Sequence, residues 1–279
     1  MTTLDKNKIA FRKMKSKGMY VPPLTVYDGA RKLLKDHYFN ILLDIIKLTK
    51  ETAKYHNVTI NRNGQVNDSV FSLVVALKNK LFDIDPDLVS IQLKLRGLLN
   101  KTQKSFFKQF YKDSDEKLDI FLTTMSLKKD DVFHGRINDL RELYVNNALE
   151  RIKGEVDELK KQFLEELTDW IEGRSEKMNV DVLMKGMRTT AVNESKFFAR
   201  DQFLKFNKSL LIASLKQAGV KRVEWVTMDD LAVRGNPSGP YAKSKSNHYI
   251  LDGKIFDIDN IPKEFWEYNC RCGLKPIWD

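Results

Sequence analysis

Trp225-Val226-Thr227-Met228-Asp229-Asp230-Leu231-Ala232-Val233-Arg234 opens the decisive stretch of this chain, and Asn269-Cys270-Arg271-Cys272 closes it. Between them lie His248, the Leu251-Asp252-Gly253 turn, Phe256 and Pro262. Gly219 ends a long helical period just upstream, and the period then changes. Val220, Val223, Trp225 and Val226 read as a strand. Tyr249 to Phe256 reads as a hairpin, because Asp252-Gly253 suits the two positive-φ positions of a type I′ turn. That register pairs Leu251 with Lys254, Ile250 with Ile255, Tyr249 with Phe256 and His248 with Asp257. It places His248 on one face with Ile250 and Ile255, the face expected to be buried. The last quarter therefore reads as a small α+β module.

Working outward, the preceding residues read as helices. Ala30, Leu33-Leu34, Tyr38, Ile41-Leu42, Ile45 and Leu48 recur at three- and four-residue steps from Thr25 to about Tyr55. Asn63-Gly64 marks a turn, and Asn67 or Asp68 is placed to cap a helix through Leu81. Asp85-Pro86 is a start signal for a helix carrying Leu88, Ile91, Leu95, Leu98-Leu99, Phe106 and Phe110. Lys104-Ser105-Phe106-Phe107-Lys108 has the interleaving that stacks bases, but the spacing favours an apolar core face. A shorter helix is predicted near 116–125. The longest runs from about Asp130 to Glu172, with Asp157 and Lys161 as an i,i+4 pair and Gly173 as its C′ residue. A short helix over Val180–Met187 and a long one over Thr190–Ala218 complete the body.

Composition bounds the class. The 279 residues suffice for one large or two modest domains. A mean hydropathy of −0.44 and the absence of an apolar run near the ~20 residues of a spanning helix argue against a membrane span. No apolar segment of signal-peptide type follows the basic N-terminus. Cys270 and Cys272 are the sole cysteines and are too close for an ordinary disulfide, so assembly inside a cell is expected. The net charge is +10. Lys6, Lys8, Arg12, Lys13, Lys15 and Lys17 stand against Asp5 alone before Pro22-Pro23 and make residues 1–23 a basic arm. Such an arm suits a polyanion, nucleic acid or an acidic protein surface; a solvated tail is the plain alternative.

The order W-x-T-x-x-D-x-x-V-R … H-x-x-L-D-G-x-x-F … P … N-C-R-C resembles the C-terminal domain of the phage Mu F-like minor head proteins, head morphogenesis proteins of tailed bacteriophages. Trp225, Asp230, Arg234, His248, Asp252, Gly253, Asn269, Cys270, Arg271 and Cys272 carry the resemblance. Phe198-Ala199-Arg200-Asp201-Gln202 is similar to the element before the family's tryptophan, and the similarity extends back to about Tyr144. The family often passes quickly from its arginine to its histidine, whereas Gly235 to Asn247 intervene here. The resemblance implies a binding role in head assembly, with the portal and the major capsid or scaffold protein as partners and possible contact with double-stranded DNA. It implies a place in the virion, at the head interior or portal vertex, after assembly in the host cytoplasm. Some relatives are implied to carry an effector domain after the N-C-R-C element. This chain ends at Asp279, which lowers the expectation of one here.

Two site chemistries are compatible with these residues. His248, Cys270 and Cys272 are zinc-type ligands that Asp230 or Asp252 would complete, against the plainer reading of two buried thiols with His248 bonded to Asp257. Asp230, Arg234 and His248 would make a base beside a phosphodiester, against an Asp230–Arg234 ion pair that merely organises the loop. No Gly-rich phosphate loop, nucleophile elbow or H-E-x-x-H motif is present. No catalytic residue is therefore assigned. The expectation is a mainly α protein with a basic arm (1–23), an extended helical body (24–188) and an α+β module bearing a β-hairpin (189–279). Its function is that of a minor head protein; the alternative is a metal-dependent nuclease or toxin-like effector.

Overall fold

The computed structural model describes residues 23–55, 71–81, 83–112, 131–171 and 180–277. The basic arm, the Asn63-Gly64 turn with its proposed cap, the helix near 116–125 and Gly173 lie outside them. Among the described residues, α1 (Leu24–Tyr55), α2 (Phe71–Leu81), α3 (Leu88–Lys112), α4 (Asp131–Ile171) and α5 (Val180–Gln217) precede a small sheet. Its strands are β1 (Arg222–Val226), β2 (Ile255–Asp257) and β3 (Gly273–Ile277), with two 3-10 turns at Tyr249–Leu251 and Lys263–Trp266. The architecture is mainly α with a small α+β C-terminal module. No described helix is long and apolar enough to cross a membrane.

The helices follow their apolar stripes. In α1 the buried positions are Val26, Tyr27, Ala30, Leu34, Tyr38, Ile41, Leu42, Ile45, Thr49, Thr52 and Ala53, the step of a one-sided helix. Its first free N–H groups, those of Val26 and Tyr27, donate to Pro23 O. In α3 Phe106 and Phe110 are buried and stacked, while Lys104 and Lys108 are exposed, so the aromatics are core residues. That helix is capped by Asp87, whose Oδ1 accepts from Ser90 N at 3.0 Å, two residues beyond the Asp85-Pro86 signal. The predicted break between Met187 and Thr190 is absent. Thr189 and Thr190 turn their hydroxyls back to Lys185 O and Gly186 O, which keeps both β-branched residues inside α5. In α4 Asp157 pairs with Lys160 and Lys161 with Glu165, in place of the expected Asp157–Lys161 pair.

The described chain divides into two compact units. One comprises Ala30–Lys94 and Val145–Phe198. Within it Arg151 ties α4 to α5, its guanidinium 4.9 Å from the Phe198 ring centre and 3.9 Å from Glu194. The other comprises the residues up to Gly29, Leu95–Tyr144 and Ala199–Asp279. Within this unit Arg96 grips Glu142 through Nε and Nη2, Arg141 Nη1 donates to Asn100 Oδ1, and Tyr144 bonds Ser209 and packs edge-on against Phe206. These contacts join α3, α4 and α5. The expected body–module boundary at 188/189 falls inside α5, which contributes to both units.

Helix α5 stops at Gly219 in a Schellman motif: Val220 N donates to Leu215 O and Gly219 N to Lys216 O, with Gly219 at φ 77°. The chain then enters β1, the central strand of the order β2-β1-β3, antiparallel to both neighbours. Val223 and Trp225 alternate onto the buried face. Strand β3, with Trp225 opposite Leu274, was not predicted.

The predicted hairpin at Tyr249–Phe256 does not form. Tyr249–Leu251 is a 3-10 turn, and β2 pairs with β1 instead, Val223 opposite Phe256. The Asp252-Gly253 turn is of type II: Asp252 sits at φ −56°, ψ 131°, Gly253 at φ 71°, and Lys254 N donates to Leu251 O. Asp252 leaves positive φ because its carboxylate accepts from Thr227 N at 2.6 Å. Gly253 N and Lys254 O then pair with Trp225, which completes the ladder along β1. The consequence is that Ile250 and Ile255, expected inside with His248, are each 56% exposed.

Candidate functional site

Four segments of this module meet at Trp225. Its indole is edge-on to the His248 imidazole at 5.8 Å, to Phe265 at 5.5 Å and to Phe256 at 6.2 Å. His248 is 3% exposed, and Cys270 and Cys272 are 6% exposed, free thiols. The Nδ1 atom of His248 lies 3.4 Å from Cys272 Sγ and 3.6 Å from Cys270 Sγ. The expected metal trio is therefore assembled. Neither proposed fourth ligand joins it: Asp252 is held by Thr227 N, and Asp230 by Arg271 Nη2 and Ala232 N.

The other ring nitrogen bonds a residue the sequence reading missed. His248 Nε2 is 2.9 Å from Glu267 Oε2, not beside Asp257. Arg234 Nη1 and Ser246 Oγ donate to the same oxygen, and Arg234 Nη2 donates to Tyr268 O at 2.7 Å. The expected Asp230–Arg234 pair is thus replaced by two crossed pairs, Asp230–Arg271 and Arg234–Glu267. The thirteen intervening residues Gly235–Asn247 fold back on themselves, with Gly235 N donating to Tyr241 O, and Tyr249 N returns to Arg234 O at 3.0 Å. The long connection therefore leaves Arg234 beside His248, both bonded to Glu267.

The closing Asn269-Cys270-Arg271-Cys272 element is fastened to α5. Asn269 N donates to Asp201 Oδ1 at 2.7 Å, and Arg200 Nε donates to Asn269 Oδ1 at 2.8 Å. These contacts hold Asn269 at φ 55°, a left-handed conformation that asparagine tolerates better than most residues. Lys208, 6% exposed, sends its ammonium to Phe265 O at 2.7 Å and Cys270 O at 2.9 Å, over the Phe265 ring. Because alternate residues of an extended segment face opposite ways, Cys270 and Cys272 turn together toward His248 while Arg271 turns toward Asp230. Asn269 and Lys208 carried signals of different kinds. Asn269 stood within a recognisable string, whereas Lys208 was marked solely by being a charge in the apolar register of α5.

Electrostatics follow from this wiring. Burial opposes charging His248, but Cys270 and Glu267 outweigh it and raise its pKa. Glu267 loses some solvent yet is held below the usual carboxylate range by His248, Ser246 and Arg234. Cys270 is drawn well down toward thiolate, first by Cys272 and then, against burial, by Lys208 and His248. Cys272 is pushed up by Cys270 and by burial, so it retains the proton the pair shares. A thiol, an imidazole and a carboxylate in line is the arrangement of an activated nucleophile. Here all but the carboxylate are buried, so the geometry fits holding an ion or closing a core better than attacking a substrate. No protein-family model matches the chain, and neither a curated protein nor a solved structure is significantly similar to it.

Proposed function

We propose that the chain is a minor head protein of a tailed bacteriophage or prophage, a binding component of head assembly. The observation that carries this reading is the ordered string Trp225 … Asp230 … Arg234 … His248 … Asn269-Cys270-Arg271-Cys272, whose residues are engaged with one another and with α5. A site for turnover would leave its base and nucleophile open to a substrate. In this string Arg234 is held by Glu267, Asp230 by Arg271, and His248 is engaged at both ring nitrogens. That suits a rigid docking module. In this role the module and the helical surfaces engage the portal and the major capsid or scaffold protein, in particles assembled in the host cytoplasm. The arm with Lys6, Lys8, Arg12, Lys13, Lys15 and Lys17 contacts double-stranded DNA.

The test is the protein content of purified heads, by quantitative mass spectrometry of particles from an induced host. The chain is expected to band with DNA-filled heads and to be captured with the portal protein after crosslinking. Its recovery solely as free protein, with heads of normal composition lacking it, would overturn the reading.

A further inference from the structure

We propose that His248, Cys270 and Cys272 hold one zinc ion, through Nδ1 and two thiolate sulfurs, at the junction of β1, β3 and the 248–251 turn. The proposal is independent of the head-assembly reading.

The nitrogen–sulfur spacing of the donors is that of a tetrahedron around zinc. Bond lengths of ~2.0–2.1 Å to nitrogen and ~2.3 Å to sulfur put tetrahedral nitrogen–sulfur edges near 3.6 Å and sulfur–sulfur edges near 3.8 Å. The observed nitrogen–sulfur separations are 3.4 and 3.6 Å, and all three ligand atoms lie within 4.8 Å of one another. A bifurcated hydrogen bond is the alternative account of this convergence. A single ring nitrogen, whether it carries the proton or the lone pair, makes one good hydrogen bond, yet two sulfurs approach it at nearly equal distance. A cation between them satisfies all three at once.

The surroundings are those of a metal ligand set as well. A metal-bound histidine commonly gives its other N–H to a carboxylate, which fixes the ring. His248 Nε2 has Glu267, and Glu267 is itself oriented by Arg234 and Ser246. The indole N–H of Trp225 is buried without a hydrogen-bond partner of ordinary geometry. Lys208, held at Cys270 O, adds positive charge on the sulfur side. The trio offers three protein donors, and zinc's fourth position would be taken by a ligand from outside the trio.

The experiment uses the full chain, purified without chelator and without a histidine tag. Elemental analysis is expected to give about one zinc per chain. Chelator treatment under reducing conditions, followed by titration with Co(II), is expected to give the visible bands of a tetrahedral site and a sulfur-to-metal charge-transfer band, saturating at one equivalent. Cys272→Ser and His248→Ala should abolish both. Glu267→Gln, which does not touch the metal, should retain them with affinity weaker by ~10–100-fold. Since the cysteine and histidine variants can fail by misfolding, the wild-type titration decides. Folded, reduced wild type that arrives without zinc and gives no charge-transfer band with Co(II) overturns the proposal.

Discussion

Lys208 on α5 donates to the carbonyl oxygen of Cys270 at 2.9 Å, so a buried ammonium is ligated by the backbone of the segment that also carries the two thiols. Its second acceptor is Phe265 O. A buried cation gives up hydration, and here two carbonyl dipoles and the Phe265 ring replace it. The interaction makes the C-terminal sheet dependent on a helix some sixty residues upstream.

Lys208→Met should therefore destabilise the protein by about 2–4 kcal/mol, because it leaves two buried carbonyls without donors. Urea unfolding followed by tryptophan fluorescence checks this. A loss under about 0.5 kcal/mol would mean that the ammonium contributes nothing net.

Asn269 combines a left-handed backbone with a side-chain bond from Arg200. Asn269→Gly keeps the conformation and loses the bond, at a cost of about 1 kcal/mol. Asn269→Ala loses both and should cost ~1 kcal/mol more. The order of the two variants in a thermal melt is the readout.

Gly235 and Gly253 both sit at positive φ, 82° and 71°, but a Cβ on Gly235 would collide with the Asn247 side chain whereas one on Gly253 meets nothing. Gly253→Ala should cost about 1 kcal/mol from backbone strain alone, and Gly235→Ala at least twice that. Equal costs would show that Asn247 moves aside freely.

Glu142 is held below the usual carboxylate range, first by its hydrogen bonds from Arg96 and then, against slight burial, by the charges of Arg96 and Arg141. A depressed folded-state pKa adds stability above the unfolded carboxylate value, and that stability is lost as pH falls through the folded value. The pair is about a third exposed, so screening limits it to roughly 0.5–1 kcal/mol. Glu142→Gln should lower the urea midpoint at pH 7 and leave it unchanged once acid has protonated the wild-type carboxylate.

Deleting residues 1–20 should weaken binding to duplex DNA, and binding by the intact chain should fall steeply with salt as Lys6, Lys8, Arg12, Lys13, Lys15 and Lys17 release counterions. Full affinity in the truncated chain, measured by fluorescence anisotropy across salt, would remove DNA from the arm's partners.

The helices were legible because one-sided burial writes its period into the sequence: the buried positions of α1 and α3 are mostly the predicted ones. The turn chemistry was half legible. Asp252-Gly253 announced a turn, but its type depended on whether Asp252 Oδ1 would find Thr227 N, a contact made across 25 residues of sequence. The trio of His248, Cys270 and Cys272 was readable from residue type alone. Its supporting residues were not, since Glu267 is one of many surface-type acids until Arg234, Ser246 and His248 converge on it. Strand β3 was hidden by Pro276, which is tolerated because β3 is an edge strand.

Joined at Asn269 and Lys208, the sheet and the C-terminal half of α5 should unfold as one cooperative unit. Amide hydrogen exchange of the full chain tests it most directly. The amides of Val223, Trp225 and Cys270 should open with the same free energy as those of Phe203 to Leu211, and Lys208→Met should lower all of them together. Exchange of the strands at a markedly lower free energy than α5, unaffected by Lys208→Met, would contradict it.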